Sequence, residues 1–283
     1  MFTGLLDDAA IFPPGNLPLA EAVRAHLAHR AAPYAALLGP LVVGIGDLPA
    51  LGEITAALPA ASLELAVTVP SPGYVLTAVE RVRAIPAARL STLEVAVPDG
   101  VAALDVVPVL DTALGTALDT VPDSPLDVTG YVEVPRDERR ASLLATLAGS
   151  AYRAKFRTGG VRADLHPDEA ELAAAITGAV RAGVAFKATA GLHHAVRNTD
   201  TVTGFEQHGF LNVLVATDAA VAGADEATVH AWLAERNGAR LAARVADLSP
   251  AVREVLCSFG TCSITEPVAE LTDLGLLALE VTR

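Results

Sequence analysis

YRAKFRTGGVRADLHPDEAELAAAITGAVRAGVAFKATAGLHH, residues 152–194, holds Lys155 and Lys187, and these are the only lysines in the 283-residue chain. Every other Lys/Arg position is arginine. A guanidinium stays charged in any protein environment, whereas an ammonium loses its proton when burial or a neighbouring charge demands it. Lysines kept within apolar, strand-like runs of an arginine-using chain therefore point to chemistry that needs a free amine. The plain alternative is that both pair with carboxylates.

The stretch has the form strand, helix, strand. Residues 151–157 alternate and end at Gly159-Gly160, and residues 184–189 form a short apolar run ending at Gly191, so each reads as a strand bounded by turn residues. Between them Pro167 suits a first helical position, Leu172, Ile176, Ala179 and Val180 make one apolar stripe, and Gly183 suits a C-terminal cap. A crossover of this length makes the strands parallel and adjacent. Alternate side chains share a face, so Lys155 points with Arg157 and Lys187 with Thr189 into one pocket at the carboxyl ends of neighbouring strands.

The pattern K-x-x-T-G followed about thirty residues later by F-K-x-x-x-G resembles deoxyribose-phosphate aldolase and its relatives, class I aldolases on a (β/α)8 barrel. The resemblance implies that Lys155 forms the Schiff base, that Lys187 perturbs it, and that Glu94, within Leu93-Glu94-Val95-Ala96-Val97, shuttles protons. Thr158-Gly159 matches the family's TG, and Gly260-Thr261-Cys262-Ser263 is similar to its last-strand G-T-S turn, so Thr158, Gly159, Thr189, Gly191, Gly260, Thr261 and Ser263 become candidate substrate-binding residues. Leu6-Asp7-Asp8 and Phe12-Pro13-Pro14-Gly15 are similar to its opening strand and loop. Arg157 departs from the pattern, standing where the family has a small hydroxyl residue, and Glu94 replaces a shorter Asp. A nucleophilic lysine must have its pKa brought below the usual 10.4 or so, and the expected agent is the Lys187 cation one strand away.

Strand-like runs recur through the whole chain, at residues 5–12, 37–45, 63–69, 90–97, 128–134, 151–157, 184–189 and 256–264, with helical stripes between most of them. Eight apolar strands without a G-x-G-x-x-G after the first favour an α/β fold closed as a single (β/α)8 TIM barrel over a doubly wound sheet. The stretch Val107–Asp127 is the poorest fit to a helix and reads as a rim loop. Residues 192–255 exceed what one barrel unit needs and read as an insertion after strand seven, a lid or a dimer contact, so that removing Thr199–Gly238 is expected to leave the barrel folded.

A net charge of -13 excludes a general nucleic-acid or anionic-membrane surface. Two cysteines and no long apolar run favour a cytoplasmic, reduced protein. The histidines His193, His194 and His208 leave three readings open: metal ligation, substrate-anion or acid–base work, and plain structure. Arg157 and Arg197 are natural anion ligands. The expectation is a Schiff-base lyase acting on a small carbonyl compound, phosphorylated or carboxylated or neither, with no cofactor, no metal, no nucleic-acid or membrane partner, and an oligomeric state left open. The alternatives are a metal-dependent lyase or hydrolase using the loop histidines, and a non-catalytic barrel that binds an anionic metabolite.

Overall fold

In a computed structural model that describes residues 1–119 and 128–279, eight parallel strands close into a barrel. In chain order the elements are β1 (Leu6–Asp8), α1 (Leu19–Arg30), β2 (Leu38–Gly44), α2 (Leu48–Ile54), β3 (Leu63–Val69), α3 (Val75–Arg83), β4 (Ala88–Ala96), α4 (Ala103–Asp119), β5 (Thr129–Glu133), α5 (Arg139–Leu147), β6 (Arg153–Arg157), α6 (Glu169–Ala182) and β7 (Phe186–Thr189). A short hairpin of β8 (Asn198–Thr199) and β9 (Glu206–Gln207) follows, then α7 (Phe210–Val221), α8 (Glu226–Leu233), α9 (Gly238–Val245), α10 (Val252–Val255), β10 (Leu256–Thr261) and α11 (Thr265–Asp273). Around the ring the order is β1, β10, β7, β6, β5, β4, β3, β2. The α/β barrel expected from the eight apolar runs is thus the fold, and each run coincides with or overlaps one of its strands.

The unit around the lysines follows from local chemistry. Pro167 lies just before α6 and not at its first position; Asp168 caps the helix, accepting from the Glu171 amide at 2.7 Å, and Gly183 takes the left-handed conformation that ends it. Val184 and Phe186 then enter the core. On β6 and β7 the outward residues Ala154, Phe156, Phe186 and Ala188 are buried under the helices, with the two phenyl rings 5.1 Å apart. That leaves Lys155, Arg157, Lys187 and Thr189 pointing inward, and the register pairs Lys155 with Lys187 and Arg157 with Thr189.

Two segments differ from the sequence reading. Residues 107–119 belong to α4 and not to a rim loop: Ala103, Val106 and Leu110 form a buried stripe, and that packing outweighs the one backbone hydrogen bond lost at Pro108. The rest of that stretch, 120–127, lies outside the described residues. Within 192–255, α7 contacts α6, α8, α9 and β10, and every residue from Phe210 to Ala220 is buried. It covers the barrel wall between β7 and β10 as the crossover helix of an ordinary strand–helix unit, so Thr199–Gly238 is not a removable lid. Among the described residues no helix is long and apolar enough to cross a membrane.

Candidate active site

Six ionisable side chains run across the barrel interior with alternating sign. Ser258 donates to Asp7 at 2.7 Å, and the same carboxylate oxygen takes the Lys187 ammonium at 2.5 Å. Lys187 also bonds Oε1 of Glu94, whose Oε2 holds the Lys155 ammonium at 2.7 Å. Lys155 reaches on to Glu133 at 3.0 Å, and the other Glu133 oxygen accepts from Arg157 Nε at 3.0 Å. The members come from β1, β4, β5, β6 and β7, whose inward positions the parallel register brings level: Glu133 faces Lys155 and Lys155 faces Lys187. The ring of Tyr131 lies 5.4 Å from Lys187 Nζ and adds a cation–π contact.

Burial would strip these groups of charge, and the alternation prevents it. Glu94 is pushed up by burial but pulled further down by its two lysines, to about 2. Burial lowers Lys155, yet the attraction of Glu94 and Glu133 outweighs it and the amine is held above its ordinary value, with Lys187 pulling slightly the other way. Lys187 is raised for the same reason by Asp7 and Glu94. Burial pushes Asp7 up against the pull of Lys187, but a carboxylate that accepts from an ammonium and a hydroxyl has the environment of an ionised group. The sign expected for Lys187 acting on Lys155 is present, but two carboxylates overrule it. The lowered Lys155 pKa expected from the sequence is therefore not found.

Above Lys155 lies a cavity of about 490 Å³ at the carboxyl ends of the strands, the face on which barrel enzymes carry their sites. Glu94, Glu133, Lys155 and Arg157 form its charged floor and side, Thr189, Gly191, Gly260, His193 and Cys262 another part, and Phe12, Pro13, Val42, Ile45, Val69, Val161 and Leu165 its apolar walls. Lys187 does not reach it and sits behind Glu94.

The structure thus gathers Lys155, Glu94, Arg157, Thr189, Gly191, Gly260 and His193 around one space. Lys187 is joined to them through Glu94. Thr158 is a fully buried latch, its hydroxyl donating to the carbonyls of Thr189 and Ala190. Gly159 is needed because the backbone of Gly191 passes so close that a Cβ would lie 2.8 Å from its Cα. Thr261 donates to the Ser263 carbonyl, and the Ser263 hydroxyl accepts from the Glu266 amide at the start of α11, so both shape the turn without facing the cavity. His194 is bound to Glu270, and Arg197 is buried against Glu169, Glu206 and His208, all away from the cavity. Burial brings His208 down to about 4, and its Nε2 lies 2.8 Å from the Pro167 carbonyl. Arg197 and His208 thus belong to a buried polar cluster apart from the Lys155 cavity. Asp8 turns outward to the buried His26 at 3.0 Å. Among the described residues no three His, Cys, Asp or Glu side chains converge as metal ligands, so the histidines do not assemble the site that the metal reading requires.

Glu133, Ser258 and Tyr131 escaped the sequence reading. Glu133 had a signal, an ionisable residue on the inward parity of an apolar strand. Cys262 comes within 3.3 Å of His193 Nδ1, and burial holds the thiol up at about 11 and the imidazole below its usual value, so the pair is neutral.

No protein-family model matches the chain, and no curated protein matches it. Among solved structures it is similar to the CcCel6A catalytic domain complexed with p-nitrophenyl beta-D-cellotrioside, with 15% identity over 71% of this chain and 75% of that one and a TM-score of 0.32. A likeness of that size says nothing about chemistry.

Proposed function

We propose that this barrel is a Schiff-base-forming lyase of the class I aldolase type, acting on a small aldehyde or ketone. One observation carries the reading. Of the two lysines, Lys155 alone lines a cavity at the carboxyl ends of the barrel strands, with a carboxylate on either side of its amine at 2.7 and 3.0 Å. A stability role asks for an ion pair, not for an amine presented to a cavity between two proton acceptors.

The contacts support the following steps. Lys155 passes a proton to Glu133, the acceptor nearer the opening, and the freed amine adds to the substrate carbonyl carbon. The carbonyl oxygen takes a proton to give a carbinolamine, and a second proton lets that hydroxyl leave as water, forming the iminium. In a substrate with a hydroxyl on the carbon β to the iminium, Glu133, having given up its proton in forming the iminium, takes the hydroxyl proton as the bond between the α and β carbons breaks, which releases a carbonyl product and leaves the bond's electron pair in an enamine. Protonation of that enamine and hydrolysis return Lys155. Glu94, fixed between two ammoniums, holds Lys155 in place and keeps the Lys187 charge beside it. Lys187 is a positioning residue that favours the neutral amine electrostatically.

Borohydride with a panel of aldehydes and ketones tests this. One adduct per chain should form and map to Lys155, and Lys155→Arg should abolish it because guanidinium is a poor nucleophile. An adduct confined to Lys187 or the amino terminus, with Lys155→Arg still labelled, would refute the proposal.

A further inference from the structure

From the walls of this cavity we infer that the substrate is an uncharged carbonyl compound with an apolar tail, not a phosphorylated or carboxylated one. The inference rests on the Schiff-base reading for the reaction but on different observations for the ligand. Asp7, Glu94 and Glu133 balance Lys155, Lys187 and Arg157 one for one in a single bonded series, so no surplus cation is left to meet an anion. An incoming phosphate or carboxylate has to break a buried ion pair and leave its acid uncompensated, a costly exchange. Two of the neutral polar groups are also engaged. His193 faces Cys262, and the Gly160 amide, which lines the cavity, lies 3.3 Å from His166 Nε2, itself 2.9 Å from the Gly160 carbonyl oxygen. The apolar part of the lining is Phe12, Val42, Ile45, Val69, Val161 and Leu165, side chains that offer an alkyl or aryl chain contact and an anion no partner.

The test is half-saturating concentration in borohydride trapping, read as Lys155 adduct mass. Across propanal, butanal, pentanal and hexanal each methylene should lower that concentration by about fourfold, the value for a buried methylene. Glycolaldehyde phosphate and pyruvate should need at least as much as propanal, about sixtyfold more than hexanal. A flat aldehyde series, or glycolaldehyde phosphate or pyruvate trapped on Lys155 below the propanal concentration, overturns the inference while leaving the imine intact. If no carbonyl compound labels Lys155, the Schiff-base reading fails. The ligand inference is then decided by saturation-transfer NMR with unreactive probes: hexanol binding in preference to glycerol phosphate upholds it, and the reverse overturns it.

Discussion

Removing the charge of Glu133 should lower the pKa of Lys155 by about two units, and the chain is well suited to measuring it. Lys155 sits 3.0 Å from the Glu133 carboxylate. At an effective dielectric near 20, unit charges at that distance attract by about 5 kcal/mol. The Glu133 side chain is 22% exposed, so cavity water weakens the pull, and Gln still accepts a hydrogen bond. About half, or 2–3 kcal/mol, is the expected loss, which is about two pKa units. Arg157, deprived of its acid, pushes the same way. With only two lysines, competitive acetylation read by mass spectrometry reports Lys155 directly, and Lys187, which does not line the cavity, serves as the slow internal comparison. In the parent protein Lys155 is held above 10.5, so its labelling rate should climb tenfold per pH unit from 7 to 10. In Glu133→Gln the rise should level off about two units earlier. A parent Lys155 that already labels at its plateau by pH 9, or a Glu133→Gln profile superimposable on the parent's, would refute the electrostatic account of the site.

Other consequences are checked more briefly. Glu94 is held at about 2 against an ordinary 4.5, so it contributes stability that is fully present above pH 4.5 and is lost as pH falls towards 2; urea unfolding should show a loss of about 3 kcal/mol across that window, absent in Glu94→Gln. Glu94→Gln should itself be destabilised by about 3 kcal/mol or more at pH 7, because two buried ammoniums lose their shared acid. Lys187→Leu removes a cation that lowers Lys155, so its labelling profile should move to higher pH, opposite to Glu133→Gln. Cys262, with its thiol near 11, should react with iodoacetamide at pH 8 about tenfold more slowly than an ordinary thiol, the scarcity of thiolate being partly offset by its greater nucleophilicity. Leu214→Ala, at a fully buried position of α7, should cost about 3 kcal/mol in urea unfolding, and deletion of Thr199–Gly238 should leave no cooperative transition, as follows if α7 is part of the barrel.

The barrel was legible because burial on both faces turns each strand into an apolar run, and eight such runs survive the variability of everything between them. Inward parity was legible for the same reason: Phe156 and Phe186 must face the helices, so Lys155 and Lys187 must face the axis. Where the reading fell short, the missing information was pairwise. Val107–Asp127 reads as a rim loop, yet the buried Val106 and Leu110 hold its first part in α4, and the length of 192–255 reads as an insertion, yet α7 covers the barrel wall. Arg197 looked like an anion ligand, though its acids, Glu169 and Glu206, are already in place. The sign of the Lys155 shift shows the same limit most directly. Two adjacent lysines predict repulsion and a lowered pKa, and that term is present. It is outweighed because Glu94 and Glu133, one on β4 and the other on β5, converge on the same nitrogen, and their convergence is a property of strand register that no single stretch of the chain contains. In the Schiff-base reaction proposed for this site, a substrate carbonyl at the amine must therefore compete with Glu133 for Lys155, and turnover at neutral pH requires that Glu133 take up the proton as the carbonyl arrives.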